Sequence, residues 1–275
     1  MSSAPVDPEQ KPATAARIYD FVLGGTHNFP ADRAAAKMAI EQFPLIPARA
    51  RANRALLRRM VRYLVDAGVH QFLDIGSGMP TVGNVHEIAQ GVAPDCRVAY
   101  VDLDPVAVAE SLEILAGNPG ATAVQADLRA PQVILDHPRV RKLLDFDQPI
   151  AMLLFAVLHF VPDDTEAGEA LAHLLAALPS GSYLAVSHTA TEGFELGSTS
   201  SDSVKIGKEI YRRQTATPIT LRSREQVAKF FVGCSEVVDP GLVWMPDWRP
   251  DPGDPTEFAD DPPRSGTWAG LGRIR

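Results

Sequence analysis

The chain has 275 residues, of which 45% are hydrophobic and 22% charged, and its formal net charge is -8. This length and composition fit one large α/β domain, alone or with a small lid, and the negative charge argues against a dedicated nucleic-acid binder. The two cysteines exclude a disulfide framework and a Cys-rich zinc site, and we expect no bound metal.

No apolar run is long enough to span a bilayer, since the longest, residues 150–158, is far too short. The first 16 residues are polar and rich in proline and alanine, without the apolar core of a signal peptide. We therefore expect a cytoplasmic protein with no membrane partner.

The first 68 residues are predicted to be helical after a disordered tail at residues 1–13. Apolar residues at helical spacing predict three helices, at residues 14–23, 32–42 and 48–67. Gly24 and Gly25 would end the first of these helices. The third helix carries a separate stripe of arginines: Arg51, Arg54, Arg58 and Arg62. Such a stripe can touch phosphates, but it is more often a solvated helix face. We expect residues 14–68 to form a helical cap over a domain of residues 69–275.

From residue 71 onward, strands alternate with helices, which predicts a mostly parallel sheet with helices on both faces. Strands are predicted at residues 71–75, 97–102, 122–125, 150–155 and 183–187, with a last edge strand at 266–274. The intervening helices are predicted at residues 82–91, after Asp104 and Pro105, and after Asp163 or Asp164.

The pattern is looser after the fifth strand. Residues 189–203 are rich in Ser, Thr and Gly and predict a loop, and helices are predicted at 204–215 and 223–231. Because these segments follow a strand end, residues 189–232 are a candidate substrate lid. Residues 246–263 are too rich in Pro and Asp to form regular structure.

Residues 71–80, QFLDIGSGMP, indicate a strand that ends in a glycine turn. A dinucleotide fingerprint needs G-x-G-x-x-G, and Thr81 stands where its third glycine would be. Asp74 and the two glycines after it resemble instead the acidic-x-G-x-G motif of S-adenosylmethionine (SAM) methyltransferases. The sequence departs from that motif at Pro80, where a third glycine is usual. A purely structural glycine turn is the alternative.

Three carboxylates follow the first three predicted strands: Asp74, Asp102 and Asp127. Ligands of open parallel sheets bind beyond the carboxyl ends of the strands, so all three would face one crevice. SAM offers an ammonium, a ribose diol and an adenine amino group, and each of these donates hydrogen bonds that a carboxylate accepts. Any one of the aspartates could instead cap a helix.

The resemblance to SAM methyltransferases implies a role for each of these residues. Asp74 would lie near the methionine amino end, Asp102 would accept from the ribose hydroxyls, and Asp127 would meet the adenine amine. The remaining implied cofactor contacts are the turn residues and two leucines that flank the adenine ring: Gly76, Ser77, Gly78, Leu103 and Leu128.

A closer resemblance covers nearly the whole chain from about residue 14. Residues 16–25, ARIYDFVLGG, with Asn28, Asp32 and Arg33, are similar to the opening motif of a bacterial S-adenosyl methyltransferase family of unassigned substrate. Further similar segments are residues 158–163, 221–223, 240–243, 248–251 and 268–270. The resemblance implies the class I SAM-dependent methyltransferase fold, a seven-stranded, mostly parallel sheet with helices on both faces and an N-terminal helical cap. It implies SAM as the cofactor and S-adenosylhomocysteine (SAH) as the product, and no particular acceptor.

The methyl group of a sulfonium is already activated, so the protein mainly aligns the reactants and excludes water. A general base helps only if the acceptor carries a proton, and His159, which follows the fourth strand, is the candidate. Alternatively, His159 caps Asp163 or packs beneath the lid. His188, just after the fifth strand, is the second choice for the base and is also a candidate contact of the acceptor.

Residues of the cap could cover the cofactor: Tyr19, Asp20, Gly24, Gly25 and Asn28, although the glycines could equally only end a helix. An acceptor pocket could be lined by Tyr211, Arg212 and Trp244, with Trp248 and Arg249 nearby. For the tryptophans, burial in the core is the alternative.

The sequence therefore predicts a SAM-dependent methyltransferase that acts on a small molecule. A SAM-binding regulatory protein without turnover is the alternative, favoured by Pro80 and by the lack of a decisive base. An NAD-dependent oxidoreductase is a third possibility, which Thr81 disfavours. The oligomeric state is not predicted.

Overall fold

A mixed sheet organises the chain in the structure, a computed structural model that describes residues 12–80, 83–192, 219–252 and 257–275. Its strands are β1 (Gln71–Ile75), β2 (Arg97–Asp102), β3 (Ala121–Gln125), β4 (Ala151–Phe155), β5 (Tyr183–Thr189), β6 (Glu236–Val237), β7 (Val243–Trp244) and β8 (Thr267–Arg273). The strand order is β3-β2-β1-β4-β5-β8-β6, and β7 also pairs with β8. The first five strands lie within two residues of their predicted bounds.

The first five strands are parallel, and β8 runs antiparallel to β5. Both β6 and β7 pair with β8, one near each of its ends, so together they fill a single interrupted position at the edge. The sheet thus has the seven strand positions that were predicted. The predicted edge position of the last strand is wrong, because β8 has β5 on one side and β6 and β7 on the other. Neither β6 nor β7 was predicted, since two residues are too few to show an alternating pattern.

The direction in which the chain crosses the sheet reverses between β1 and β4. From β1 the chain moves outward through β2 to β3, and it then returns to β4 on the other side of β1. In open parallel sheets, such a reversal leaves a crevice beyond the carboxyl ends of the two adjacent strands. The candidate site is therefore expected beyond Ile75 and Phe155.

The helices are α1 (Ala15–Val22), α2 (Pro30–Gln42), α3 (Ile46–Asp66), α4 (Val85–Val92), α5 (Pro105–Ile114), α6 (Pro131–Leu135), α7 (Pro138–Leu143), α8 (Asp164–Ala176) and α9 (Arg224–Ala228). Local capping explains several of their starts. Thr14 caps α1, Asp104 caps α5 with Pro105 in its first turn, and Asp163 accepts from the first backbone N–H groups of α8. The short helices α6 and α7 were not predicted, because five or six residues carry little periodicity.

Alternate residues of every strand except the exposed β6 pack into two hydrophobic clusters, one on each face of the sheet. In β1, Leu73 belongs to one cluster and Phe72 to the other. The second cluster includes the apolar side of α3, with Leu56, Met60 and Leu64 fully buried. The third helix of the predicted cap is therefore part of the main core, whereas α1 and α2 share a small cluster of their own.

The buried Arg59 links α3 by hydrogen bonds to the segment that follows β7. Its guanidinium donates to the backbone oxygens of Met245 and Trp248, both at 2.9 Å. Burial lowers the pKa of Arg59 to about 10. Four other arginines of α3 form the predicted stripe. Two of them are exposed: Arg51, which pairs with Glu257, and Arg62, which pairs with Asp251. Arg54 departs from the predicted solvated face, because it is half-buried and lines a cleft with Asp74.

Several predictions fall outside the described residues. These are the tail up to residue 11, the helix at 204–215 and residues 193–218 of the lid. Pro12 and Ala13 are described, and Ala13 is buried in the cluster of α1 and α2. The predicted division into tail, cap and lid stays a prediction. None of the helices in the described ranges combines the length and apolar character that crossing a membrane requires.

Candidate active site

The glycine turn after β1 is the first component of the site. The backbone N–H groups of Gly76 and Ser77 donate to the Val101 oxygen at 2.8 and 3.2 Å, which ties the turn to β2. Gly76 and Gly78 have φ values of +72° and +70°, a conformation that L side chains rarely adopt. A Cβ atom on Gly76 would lie 2.3 Å from a methyl carbon of Val157, whereas a Cβ atom on Gly78 would meet nothing within 4 Å. The turn therefore packs closely against the chain after β4 and leaves open space at Gly78.

Two of the three predicted carboxylates lie together beside this turn. Asp74 and Asp102 are buried, with only 7% and 9% of their surfaces exposed. Asp102 accepts from the backbone N–H of Gly78 at 2.7 Å and from that of Asp104 at 2.8 Å. Burial raises the pKa of Asp74 to about 7, against the opposing effect of Arg54 and with a further increase from Asp102. Burial also raises the pKa of Asp102, and the two backbone hydrogen bonds oppose that rise.

The third carboxylate, Asp127, lies at the same edge of the sheet but has a partner of its own. Arg129 binds it through its guanidinium and also donates its backbone N–H at 2.9 Å. This ion pair lowers the pKa of Asp127. The predicted contact of Asp127 with an adenine amine stays a prediction. It requires the carboxylate either to bind the amine and Arg129 at the same time or to break its ion pair with Arg129.

The two predicted leucines differ in exposure. Leu103 is 56% exposed directly after Asp102, and it therefore presents apolar surface at the crevice. Leu128 is only 6% exposed and packs in the main core. A ring-flanking role for Leu128 stays a prediction, with little of its surface left for such a contact.

Sequence reasoning missed several residues beside Asp74. A narrow cleft next to the turn is lined by Arg54, Asp74, Ser77, His86 and Tyr100, among others. Arg54 comes from α3, and its guanidinium lies 5.6 Å from the centre of the Tyr19 ring. The arginine stripe was the signal for Arg54, but its helical spacing did not reveal which arginine turns inward.

The cap is joined to the ends of β4 and β5 by polar contacts. The Tyr19 hydroxyl donates to the Ala50 oxygen at 3.2 Å and accepts from Asn53 at 3.3 Å. Asn53 in turn accepts from the Ser187 hydroxyl at 2.7 Å, and that hydroxyl accepts from the backbone N–H of Ala156 at 3.0 Å. Ala156 has a φ of +54°, a strained conformation for a residue with a Cβ atom, and such strain is common at functional sites.

The loop after α1 is built around the fully buried Asp20. Gly24 ends α1 with a φ of +82°, and a Cβ atom on Gly25 would lie 2.0 Å from Asp20 Oδ1. Asn28 donates to Asp20 Oδ2 at 2.8 Å and to the Gly25 oxygen at 2.9 Å. The structure of this loop therefore depends on Gly24, Gly25 and Asn28. Their predicted contact with the cofactor, and that of Tyr19, stay predictions.

The two candidate histidines are buried next to each other after β4 and in β5. His159 Nδ1 lies 3.2 Å from the Thr189 hydroxyl, and the rings of His159 and His188 meet edge to face at 5.7 Å. Burial lowers the pKa of His159 well below its usual value, and the nearby His188 and Arg222 lower it further. His159 is therefore neutral at physiological pH, as a general base must be.

His188 has no ring nitrogen free for an acceptor. Its Nδ1 donates to the Thr189 oxygen at 2.9 Å, and its Nε2 accepts from Arg222 at 3.0 Å. Burial lowers its pKa to about 4. Arg222 is also buried and donates to Asp164 and to the backbone oxygens of Leu158 and Val161. The predicted contact of His188 with the acceptor stays a prediction, although both ring nitrogens already have partners in a buried cluster.

Two of the remaining predicted acceptor residues, Trp244 and Trp248, differ in their surroundings. Trp244 stacks on Trp268 with ring centres 3.6 Å apart and remains partly exposed. Trp248 is fully buried and meets Tyr63 edge to face, in accordance with the alternative of a core role. Tyr211 and Arg212 lie outside the described residues.

The strand order with an antiparallel β8, the glycine turn after β1 and the carboxylate after β2 together define a class I SAM-dependent methyltransferase. The chain belongs to the S-adenosyl methyltransferase family, whose model matches residues 2–275. The predicted family, fold class, cofactor and activity are confirmed. The alternative of an NAD-dependent oxidoreductase is wrong, and membership of this family favours turnover over binding alone.

Solved structures agree with this assignment. A DUF574 family protein from Streptomyces avermitilis MA-4680 is 37% identical with a TM-score of 0.88, over 98% of this chain and 100% of that one. A proposed methyltransferase from Thermobifida fusca YX is 36% identical with a TM-score of 0.85, over the full length of both chains. Magnesium protoporphyrin IX methyltransferase from Synechocystis PCC 6803, with bound SAH, shares only the fold, at 16% identity, a TM-score of 0.51, and 84% and 87% coverage of the two chains. A search of curated proteins found no match.

The residues at the crevice fit SAM. The open space at Gly78 lets a ligand approach the backbone, and the buried Asp74 and Asp102 supply acceptors for an ammonium and a ribose diol. The exposed Leu103 offers an apolar surface to an adenine ring. When bound, SAM supplies an electrophilic methyl group, and the protein supplies orientation and the exclusion of water.

Gly76→Ala tests the glycine turn, with Gly91→Ala as the matched control. We expect Gly76→Ala to lower the free energy of unfolding by about 2 kcal/mol or more, because the new methyl group meets Val157 and the left-handed backbone is strained. Gly91 lies in α4 with open space around it, so Gly91→Ala should stabilise the protein by about 0.5–1 kcal/mol. Urea unfolding measures both, and equal stabilities of the two variants would contradict the packing described for the turn.

Proposed function

We propose that this enzyme holds SAM across the turn at residues 76–78, with the ribose hydroxyls on Asp102 and the methionine ammonium near Asp74. The observation that carries the proposal is the burial of these two carboxylates side by side against a turn with open space at Gly78. Burial raises the pKa of both groups, and cationic or donor groups of a ligand would compensate for that cost.

The acceptor that we propose is a small molecule. Tyr19, Asn53 and Arg54 of the cap stand near the carboxyl ends of β1, β4 and β5, where a large acceptor would have to enter. The negative net charge of the chain also disfavours a nucleic acid. A cytoplasmic location is part of the same proposal, since the free thiols of Cys96 and Cys234 suit a reducing compartment.

We propose His159 as the general base for an acceptor that loses a proton from oxygen, nitrogen or an acidic carbon. In the tautomer whose Nδ1–H donates to the Thr189 hydroxyl, Nε2 would take the proton of the acceptor. The burial that keeps His159 neutral supports this role. The second proposed partner of the acceptor is Trp244, whose partly exposed ring is held by its stack on Trp268.

Asp102→Asn tests the ribose contact, with Asp95→Asn as control at the opposite end of β2. Hydrogen bonds to a charged group contribute about 1.5–3 kcal/mol, so Asp102→Asn should weaken SAH binding by roughly 10- to 100-fold. Asp95 is exposed and pairs with His70, so its variant should bind SAH normally. Isothermal titration calorimetry measures both affinities. Normal SAH binding by a folded Asp102→Asn variant would remove Asp102 from the site.

The pH dependence of SAH binding tests the contact with Asp74. In the free enzyme the pKa of Asp74 is about 7, and its surroundings are Arg54, Asp102 and Tyr100. An ammonium beside Asp74 favours the ionised form, so the complex binds fewer protons than the free enzyme. Affinity for SAH should therefore rise by up to about tenfold per pH unit between pH 5 and 7 and level off above pH 7. Asp74→Asn should flatten this dependence, and an equally steep profile in the variant would exclude Asp74.

His159→Ala tests the base, with the exposed His173→Ala as control. Removing a general base should reduce the methyl-transfer rate by about 10²- to 10⁴-fold, while SAH binding stays unchanged. The assay follows labelled methyl groups from SAM into an acceptor found by screening small molecules. Full activity of His159→Ala with a protonated acceptor would remove His159 from the reaction.

A further inference from the structure

The buried Arg17 of α1 connects the cap to the end of β2. Only 3% of Arg17 is exposed, and its guanidinium donates to Asp104 Oδ2 at 2.8 Å and to Asp32 Oδ2 at 2.9 Å. The Thr14 hydroxyl donates to the same oxygen of Asp104 at 2.6 Å. Two residues of the cap thus hold one carboxylate of the main domain.

Asp104 in turn restricts the orientation of the Asp102 carboxylate. Its Oδ1 accepts from the backbone N–H of Val106, which fixes the side chain on the first turn of α5. Its own backbone N–H donates to Asp102 Oδ1 at 2.8 Å, while Asp102 Oδ2 accepts from Gly78 at 2.7 Å. A continuous series of hydrogen bonds therefore runs from the cap through Asp104 and Asp102 to the glycine turn.

Burial makes this series sensitive to the loss of either cap residue. Without Arg17, the buried Asp32 and Asp104 would lose their shared counter-ion, and such a loss is costly in a desolvated place. Asp104 and the first turn of α5 would then be free to shift away from the cap, and with them the backbone N–H that holds the Asp102 carboxylate in one direction. A carboxylate that must be reoriented on binding gives weaker affinity than one that is already oriented.

We propose that Thr14 and Arg17 are positioning residues for the cofactor, which act through Asp104 on the orientation of Asp102. This inference rests on the ribose contact of Asp102 proposed above. Because linkage is reciprocal, a bound cofactor that fixes Asp102 also stabilises the docked cap. Docking of the cap and binding of the cofactor are then thermodynamically coupled, so that each favours the other.

Thr14→Val is the sharpest test, because it replaces the hydroxyl with a methyl group of nearly the same size. We expect SAH binding to weaken about three- to tenfold in Thr14→Val and to remain normal in Thr14→Ser, which keeps the hydroxyl. Arg17→Met should weaken SAH binding at least about tenfold, with partial recovery in Arg17→Lys. Arg59→Met is the matched control, since this buried arginine holds the backbone oxygens of Met245 and Trp248 and should bind SAH normally when folded.

A double-mutant cycle separates positioning from a general loss of stability. In the Asp102→Asn background, Thr14→Val should leave SAH affinity unchanged, because the group on which Thr14 acts is already altered. Hydrogen exchange supplies a second measure: SAH should slow the exchange of amides in α1 in the wild type and have less effect in Thr14→Val.

Normal SAH binding by Thr14→Val and Arg17→Met, together with weak binding by Asp102→Asn, would overturn the positioning role and leave the ribose contact intact. The same loss of affinity for Thr14→Val in both backgrounds would also overturn it. Normal binding by Asp102→Asn would instead contradict the proposed ribose contact itself.

Discussion

The hydrogen bonds that hold the Asp102 carboxylate against the glycine turn are the contacts on which the rest of the site depends. They exist because β1 and β2 are parallel neighbours in register, with Asp74 opposite Tyr100, so that the turn after β1 reaches the end of β2. Gly76 allows the turn to pass close to Val157, and Gly78 turns its N–H toward Asp102. Burial keeps both carboxylates away from bulk water, which strengthens any electrostatic contact that they make.

The N-terminal helices are joined to the rest of the protein in two different ways. The helix α3 is part of the main core, and its apolar side chains pack on the sheet. The helices α1 and α2 share only a small apolar cluster, and α1 reaches the site through the polar contacts of Arg17 and Tyr19. Polar contacts specify geometry and are lost together when one partner is removed, so this part of the cap is suited to respond to a ligand.

Much of the fold could be predicted from the sequence, because its main elements carry strong local signals. The apolar run of β4, the glycine turn and the capping residues Asp104 and Asp163 gave strand ends and helix starts close to those observed. The short elements β6, β7, α6 and α7 were missed, since they hold too few residues for a period. The strand β8 lies inside the sheet because β6 and β7 pair with its outer side. Each of these strands has only two residues, so no local sequence pattern indicates them.

Residues of the candidate site could be predicted from the sequence only where they lie at the ends of strands. Asp74 and Asp102 could be placed by that rule, but the pairing of Asp127 with Arg129 required knowing which way a side chain turns. The contact of Asn53 with Ser187 joins residues 134 positions apart, and Arg54 could not be distinguished from its solvated neighbours by spacing. No local pattern indicated that Arg222 hydrogen-bonds to His188 inside a buried cluster.

A crystal structure of the enzyme with SAH tests the central claim most directly. The account predicts the two ribose oxygens within hydrogen-bond distance of the Asp102 carboxylate, with the bond from Gly78 to Asp102 still in place. A nucleoside bound away from Asp102, with the glycine turn covered by the polypeptide, would contradict it.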